Sequence, residues 1–192
     1  NAYNLLALYT TAVSLGADPE ETLIAMSALR PATGRLENLR GPKDISVIID
    51  YAHTPDALEN VLKTLREIAP DHELICLFGC GGDRDKTKRP EMAQIAQKMA
   101  DRIIVTSDNS RTEKTSDIMA DIKAGFDISG KAKSLFIEDR EQAIRTAVMI
   151  AGQGATILLA GKGHETYQII GTEKHHFDEK EIVNAIFADM SL

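Results

Sequence analysis

The chain lacks any excess of positive charge: 22 lysines and arginines face 29 aspartates and glutamates, a formal net charge of −7. That balance argues against non-specific binding to nucleic acid or to an anionic membrane, although a small anionic ligand responds to local rather than total charge. No apolar run approaches the ~20 residues that a membrane span requires, and no charged-then-apolar leader stands at the start. Cysteine is scarce. Cys76 and Cys80 have no partners at ligand spacing, so neither a zinc set nor a C-x-x-C redox pair is present. Reduced thiols in a strand and its following loop suit the cytoplasm. Internal repeats and low-complexity segments are also missing, and a first residue of Asn rather than Met suggests a fragment of a longer chain. What remains is ordinary globular composition, 43% hydrophobic and 27% charged, with length for one domain or one domain with a piece attached.

Residues 1–30 read as two helices. Leu5, Leu6, Leu8, Val13 and Leu15 give the first an apolar face that Gly16 ends. Asp18-Pro19-Glu20-Glu21 opens the second, with Asp18 as N-cap, Pro19 at the first helical position and Glu21 closing a capping box. Two helices without a strand make no core of their own, so they look like the tail of an upstream domain. Arg30-Pro31-Ala32-Thr33-Gly34 marks a linker, with the boundary near residue 31.

Beyond it, short apolar runs at 45–49, 74–78, 103–106, 135–137 and 156–159 read as buried strands. Amphipathic segments near 56–69, 91–100, 115–126, 140–151 and 179–190 read as helices, with starts at Thr54-Pro55 and at Asp178 with Glu181. Such alternation implies a doubly wound, mainly parallel α/β sheet of Rossmann-like type. Segments 166–170 and 175–177, joined through Gly171, are expected to add an antiparallel edge hairpin.

The unusual polar residues all fall where a strand ends and its helix begins. They are Asp50-Tyr51-Ala52-His53, Gly79-Cys80-Gly81-Gly82-Asp83-Arg84, Ser107-Asp108-Asn109-Ser110-Arg111, Glu138-Asp139-Arg140 and Gly161-Lys162-Gly163-His164-Glu165. Open parallel sheets bind ligands at this edge, so the convergence points to a ligand site there. After 74–78, Gly79, Gly81 and Gly82 allow a sharp turn close to a ligand, and Arg84, Lys86, Lys88 and Arg89 bring cations just past it. Two familiar phosphate cradles fail. Arg84 stands where the dinucleotide fingerprint needs its third glycine, and Gly161-Lys162-Gly163 carries Gly where a P-loop needs Ser or Thr.

Several residues carry plainer expectations. His175-His176 line an exposed strand, Met92 and Met99 are core, Asp139 caps a helix with Gln142 at its third position, and Lys86–Arg89 is partly a solvated helix start.

Five ordered motifs then carry a resemblance: Gly34-Arg35-Leu36-Glu37, Asp50 to Asp56, Gly79 to Pro90, Asp108 to Glu113 and Gly161 to Glu165. Together they resemble the Mur ligases, most closely the MurE type. The resemblance implies that 1–30 closes a central ATPase domain and 31–192 is the C-terminal domain. ATP and Mg²⁺ would be bound mostly by the missing central domain. It implies an ATP-dependent amide ligase of peptidoglycan synthesis that phosphorylates a carboxylate and lets an amine attack the acyl phosphate. The acceptor would be UDP-MurNAc-L-Ala-D-Glu, and the C-terminal domain would deliver the amino acid. By this resemblance Arg84, Asp108, Asn109, Ser110, Arg111, Gly161 and Glu165 hold that amino acid, and Arg35, Asp50 and His53 lie near ATP. Guanidinium groups suit a carboxylate, and Glu165 suits an ammonium. No metal ligand and no catalytic group is expected within the fragment, which alone would be inactive.

Arg111 favours meso-diaminopimelate, whose second carboxylate an arginine can hold, over L-lysine. Diaminopimelate-adding members of the type read Asp-Asn-Pro-Arg in this loop, whereas here Ser110 frees φ and restores an N–H. The alternatives are a lysine-adding or sibling ligase domain, or a non-catalytic amino-acid-binding module. The expected partners are otherwise the protein's own central and N-terminal domains, with no nucleic acid, no membrane and a monomeric state.

Overall fold

A computed structural model describes residues 2–29 and 32–190. The chain divides into two compact units, Asn1–Ala32 and Thr33–Leu192. Arg30 and Pro31 of the expected linker lie outside the described residues.

The first unit holds helices α1 (Ala2–Ser14) and α2 (Pro19–Ser27). Asp18 caps α2 by accepting from the backbone N–H of Glu20 and Glu21, both at 2.9 Å, and Pro19 takes the first helical position. The return half of the expected capping box, from Glu21 to the N–H of Asp18, is not made among the described residues.

The second unit runs β1 (Glu37–Arg40), β2 (Ser46–Asp50), α3 (Pro55–Ile68), β3 (Leu74–Phe78), α4 (Lys88–Met99), β4 (Arg102–Val105), α5 (Thr115–Ala124), α6 (Ile128–Ala132), β5 (Ser134–Phe136), α7 (Arg140–Ile150), β6 (Thr156–Ala160), β7 (Tyr167–Ile170), β8 (Glu173–His176) and α8 (Glu179–Met190). Six strands form one sheet in the order β1-β2-β6-β3-β4-β5, parallel except where β1 meets β2. Strand β6 crosses back from β5 to lie between β2 and β3, so four strand ends meet near the sheet's centre.

Because successive strand residues point to opposite faces, the sheet builds two cores. Cys76, Phe78, Ile103, Val105 and Leu158 pack with Leu58, Leu62, Met92, Ala96 and Ile118 of α3, α4 and α5. Ile75, Leu77, Ile104, Ile157 and Leu159 pack on the other side with Ile144, Val148, Val183 and Ile186 of α7 and α8. Met99 is partly buried against the first core. The five expected strands and five expected helices are present, to within three residues at each end. The short edge strand β1 and the one-turn α6 are additions. Glu37–Arg40 is polar and half exposed, so the strand has no apolar run to announce it.

The expected hairpin forms, but β7 and β8 make a two-stranded sheet of their own rather than the edge of the main one, and the antiparallel edge is β1. Glu181 also departs from expectation. Asp178 accepts from the N–H of Lys180 and Glu181, yet the Glu181 carboxylate turns to His176 Nε2 at 2.7 Å instead of closing a capping box.

Candidate functional site

The carboxyl ends of β2, β3, β4 and β6 enclose a cleft of ≈ 370 Å³. After β2, Asp50 is buried and both of its oxygens are engaged, Oδ2 by Leu36 N–H at 2.9 Å and Oδ1 by Ala52 N–H at 2.8 Å. That brace turns Tyr51 and His53 outward, and Thr54 caps α3. The Tyr51 ring lies 4.7 Å from that of His53 and 5.2 Å from that of His164, with the Arg35 guanidinium 4.8 Å over its face. Tyr51, His53 and Thr54 line the cleft, whereas Arg35 and Asp50 do not.

After β3 the glycines serve close approach of backbones rather than a left-handed turn. None of Gly79, Gly81 and Gly82 has positive φ. A Cβ on Gly79 would stand 2.4 Å from the Thr106 carbonyl oxygen, and one on Gly82 only 1.9 Å from that of Ser110. These glycines thus let the neighbouring loop approach, while Gly79 and Gly81 also line the cleft. The left-handed residue is Asp83, at φ 54, held by Thr112 Oγ1–H at 2.7 Å while its own N–H donates to Glu113 at 2.7 Å. Arg84 projects into the cleft with one nitrogen on the Asp83 carbonyl at 2.8 Å, and Lys88 donates to the His53 carbonyl at 2.8 Å.

Of the partly solvated helix start expected over Lys86–Arg89, Lys86 is exposed but Arg89 is not. It is fully buried and donates to Glu113 at 2.9 and 3.0 Å, to Asp121 at 2.8 Å and to the Gly81 carbonyl at 3.2 Å. Its guanidinium, first, and the Asp83 N–H, second, hold the Glu113 carboxyl down at about 2. The Arg84 and Arg111 loops are thus tied together by a charged network beneath them.

After β4 the loop residues have different fates. Asn109 is buried, its Nδ2 donating to Glu165 at 2.9 Å and its Oδ1 accepting from Lys162 Nζ at 3.1 Å and from Ile169 N–H at 2.9 Å. Arg111 adopts φ 51 and donates through Nη1 to the Gly82 carbonyl at 2.9 Å and the Asn109 carbonyl at 3.3 Å. Among the described residues no protein acceptor meets its Nη2. Ser110 does not line the cleft; it faces a second cavity of ≈ 530 Å³ behind the loop.

After β6, Gly161 is left-handed at φ 121 and lies so near Asp108 that a Cβ would stand 2.8 Å from its Oδ2. Burial pushes the Asp108 carboxyl up, but the positive charges of Arg140, Lys162 and Arg111 outweigh it and leave the group below the usual range. The sequence reading did not assign Lys162 or Arg140. Lys162 is fully buried, bonded to the Tyr167 carbonyl at 2.7 Å, and burial lowers its pKa despite Asp108. Arg140 is equally buried, paired with Glu179 at 2.8 Å and donating to the carbonyls of Ser107 and Ala160, both at 3.0 Å. A cation directly after a capping Asp reads as a surface residue, and nothing local in the sequence distinguishes it.

Arg84, Lys88 and Arg111 face Asp85, Asp108 and Glu165 around one cleft, a balance that suits a small zwitterion better than a polyanion. Among the described residues no group of three histidines, cysteines, aspartates or glutamates is placed to hold a metal ion. Among them, too, no helix is long and apolar enough to cross a membrane.

Residues 34–163 match the model of the Mur ligase, glutamate ligase domain. The chain is 50% identical over 189 residues to the UDP-N-acetylmuramoyl-L-alanyl-D-glutamate–2,6-diaminopimelate ligase of Bacteroides fragilis, covering 98% of this chain and 39% of that protein. It is 52% identical over 190 residues to the protein of that name from Phocaeicola vulgatus, again over 98% of this chain and 39% of the relative. A solved structure bearing the same ligase name superposes with a TM-score of 0.78 at 41% identity, covering 100% of this chain and 39% of the other. A UDP-N-acetylmuramate-alanine ligase from Thermotoga maritima shares the fold, with a TM-score of 0.68 at 22% identity over 100% of this chain and 37% of that one. The chain thus spans about 39% of the length of the curated relatives it matches. With the domain model matched over 34–163, the chain belongs to the Mur ligase family.

Proposed function

We propose that the chain is the amino-acid-delivering C-terminal part of an ATP-dependent ligase that joins meso-diaminopimelate to UDP-MurNAc-L-Ala-D-Glu in peptidoglycan synthesis. The names of the relatives support the reaction. The observation that carries the choice of amino acid is Arg111, whose Nη1 is fixed on two carbonyls while Nη2 is left for a carboxylate in the cleft that also holds Glu165. Lysine has no second carboxylate to offer there. Arg84, Asp108, Asn109 and Gly161 complete the amino-acid pocket, with Ser110 acting from behind the loop.

In the reaction the terminal phosphoryl group of ATP passes to the D-Glu carboxylate, giving an acyl phosphate and ADP. The neutral amine of diaminopimelate attacks the acyl carbon, a C–N bond forms, inorganic phosphate leaves with the C–O electron pair, and the amine's proton passes to solvent. This chain's share is to bind and orient the amine. Its other end, where Arg35 stacks on Tyr51, His53 lines the wall and Asp50 braces the turn, faces ATP. Mg²⁺ and most of the ATP contacts belong to the central domain, and the described residues offer no group of three histidines, cysteines, aspartates or glutamates for the ion. The enzyme acts in the cytoplasm as a monomer, with residues 1–30 belonging to the central ATPase domain.

The test is phosphate release by the full-length ligase with the UDP-linked dipeptide and either amino acid. Arg111→Ala should raise KM for diaminopimelate at least ~100-fold, as expected for a lost charged two-pronged contact. An unchanged KM, or turnover of lysine in preference, overturns the assignment.

A further inference from the structure

Arg111 holds a left-handed backbone, φ 51, which strains a non-glycine residue and persists only where its surroundings impose it. The residue before it is Ser110, whose N–H meets no protein acceptor among the described residues. Neither residue fixes the loop by itself. The constraint comes from strand β7. Ile169 N–H donates to Asn109 Oδ1 at 2.9 Å, Arg111 N–H donates to the Ile169 carbonyl at 3.2 Å, and Gly171 N–H donates to the Arg111 carbonyl at 2.8 Å. Arg111 and Ile170 consequently pair as an isolated parallel bridge. One side chain completes the set: Gln168 Nε2 donates to Ser107 Oγ at 2.8 Å and to the Asp108 carbonyl at 3.0 Å.

We infer that Gln168 is a positioning residue for amino-acid specificity, acting through the 107–111 loop. It does not line the cleft but stands behind the loop, on the cavity that Ser110 also faces. A primary amide has two N–H donors, and here they span consecutive residues of the loop at its entry, while the β7 backbone holds its exit. The hairpin β7–β8 is therefore a template laid along the loop, and its register sets where the Arg111 guanidinium points. The hairpin is itself anchored by the buried Lys162, which donates to the Tyr167 carbonyl at 2.7 Å, and its open end is closed by Phe177 N–H, which donates to the Thr166 carbonyl at 3.1 Å. This inference rests on the reading of Arg111 as the partner of the substrate's second carboxylate.

The experiment compares Gln168→Ala and the near-isosteric Gln168→Glu with wild type in the full-length ligase. Two readouts are taken: hydrogen exchange of the backbone amides of 108–111, and the ratio of kcat/KM for meso-diaminopimelate to that for lysine. Both variants should speed exchange at Arg111 and lower the ratio about tenfold, through KM rather than kcat, the scale of losing two neutral hydrogen bonds. A merely structural role would depress both amino acids together and leave the ratio where it was. Unchanged loop exchange in both variants overturns the inference, as does an unchanged ratio when exchange is faster. If the wild-type enzyme adds no diaminopimelate, the substrate reading falls instead, and loop exchange alone decides whether Gln168 holds the loop.

Discussion

Replacing Arg140 by methionine keeps most of the side chain's volume and removes its charge. The ion pair it breaks is one of the most deeply buried in the chain, with side-chain exposures of 0% for Arg140 and 1% for Glu179. Glu179 is left with an uncompensated carboxylate, a loss that costs about 3–5 kcal/mol in buried pairs. Part of that total is the carbonyls of Ser107 and Ala160, which lose their donors at roughly 1 kcal/mol each. About 4 kcal/mol is thus expected for Arg140→Met, against a total stability of about 5–15 kcal/mol. In a chain of this length that is a fall in Tm of roughly 8–16 °C. The double variant Arg140→Met/Glu179→Leu removes the stranded charge and leaves only the two carbonyls, so it should recover about 2 kcal/mol. Burial already pushes the Glu179 carboxyl up against the pull of Arg140. Without the arginine it would bind a proton on folding, so the deficit of the single variant should narrow as pH falls from 7 to 5. Urea denaturation followed by far-UV circular dichroism measures all three. A single variant within ~1 kcal/mol of wild type, or a double variant no more stable than the single, refutes this account of the pair.

Other expectations follow from single contacts. Glu113 is held at about 2 by Arg89, below the usual carboxylate range, so its contribution to stability is complete above about pH 4.5 and is lost as pH falls toward 2. Glu113→Gln should therefore flatten the change in urea midpoint between pH 5 and pH 3. Gly82→Ala would drive a Cβ to 1.9 Å from a backbone oxygen, part the two arginine-bearing loops and cost about 2–3 kcal/mol by thermal unfolding. Gly171→Ala meets nothing within 4 Å and should cost only its left-handed strain, about 1 kcal/mol. Burial pushes both thiols up to about 12, so Cys76 and Cys80 should resist iodoacetamide at pH 8 in the folded chain and react fully in urea.

The sheet was legible because its parallel strands are buried on both faces and therefore read as uninterrupted apolar runs, as in Leu74–Phe78. Three capped helix starts were legible for a similarly local reason: Thr54, Asp139 and Asp178 act where the sequence places them. Edge strand β1 escaped because Glu37, Asn38, Leu39 and Arg40 bury little and pair mainly through backbone. The hairpin was legible as two strands about Gly171, but not its partner. The partner is the Asp108–Arg111 loop, and nothing in the strand's own residues states that the two are adjacent.

The cleft was legible at the level of residue types and strand ends, because parallel topology alone brings those ends together. What escaped were the charges underneath. Arg89, Arg140 and Lys162 each sit among other polar residues at a helix start or in a glycine turn, where solvation is the ordinary expectation. Burial instead follows from carboxylates 24 to 39 residues away for Arg89 and Arg140, and from Asn109, 53 residues away, for Lys162. On the proposed reading of the cleft as an amino-acid pocket, these buried cations help to make it selective. Arg140 and Lys162 beneath Asp108 keep it ionised despite its burial, so the pocket carries fixed carboxylates for an ammonium beside free guanidinium nitrogens for carboxylates. Neutralising either cation should therefore weaken binding of the amino acid's charged ends without altering any residue that lines the cleft.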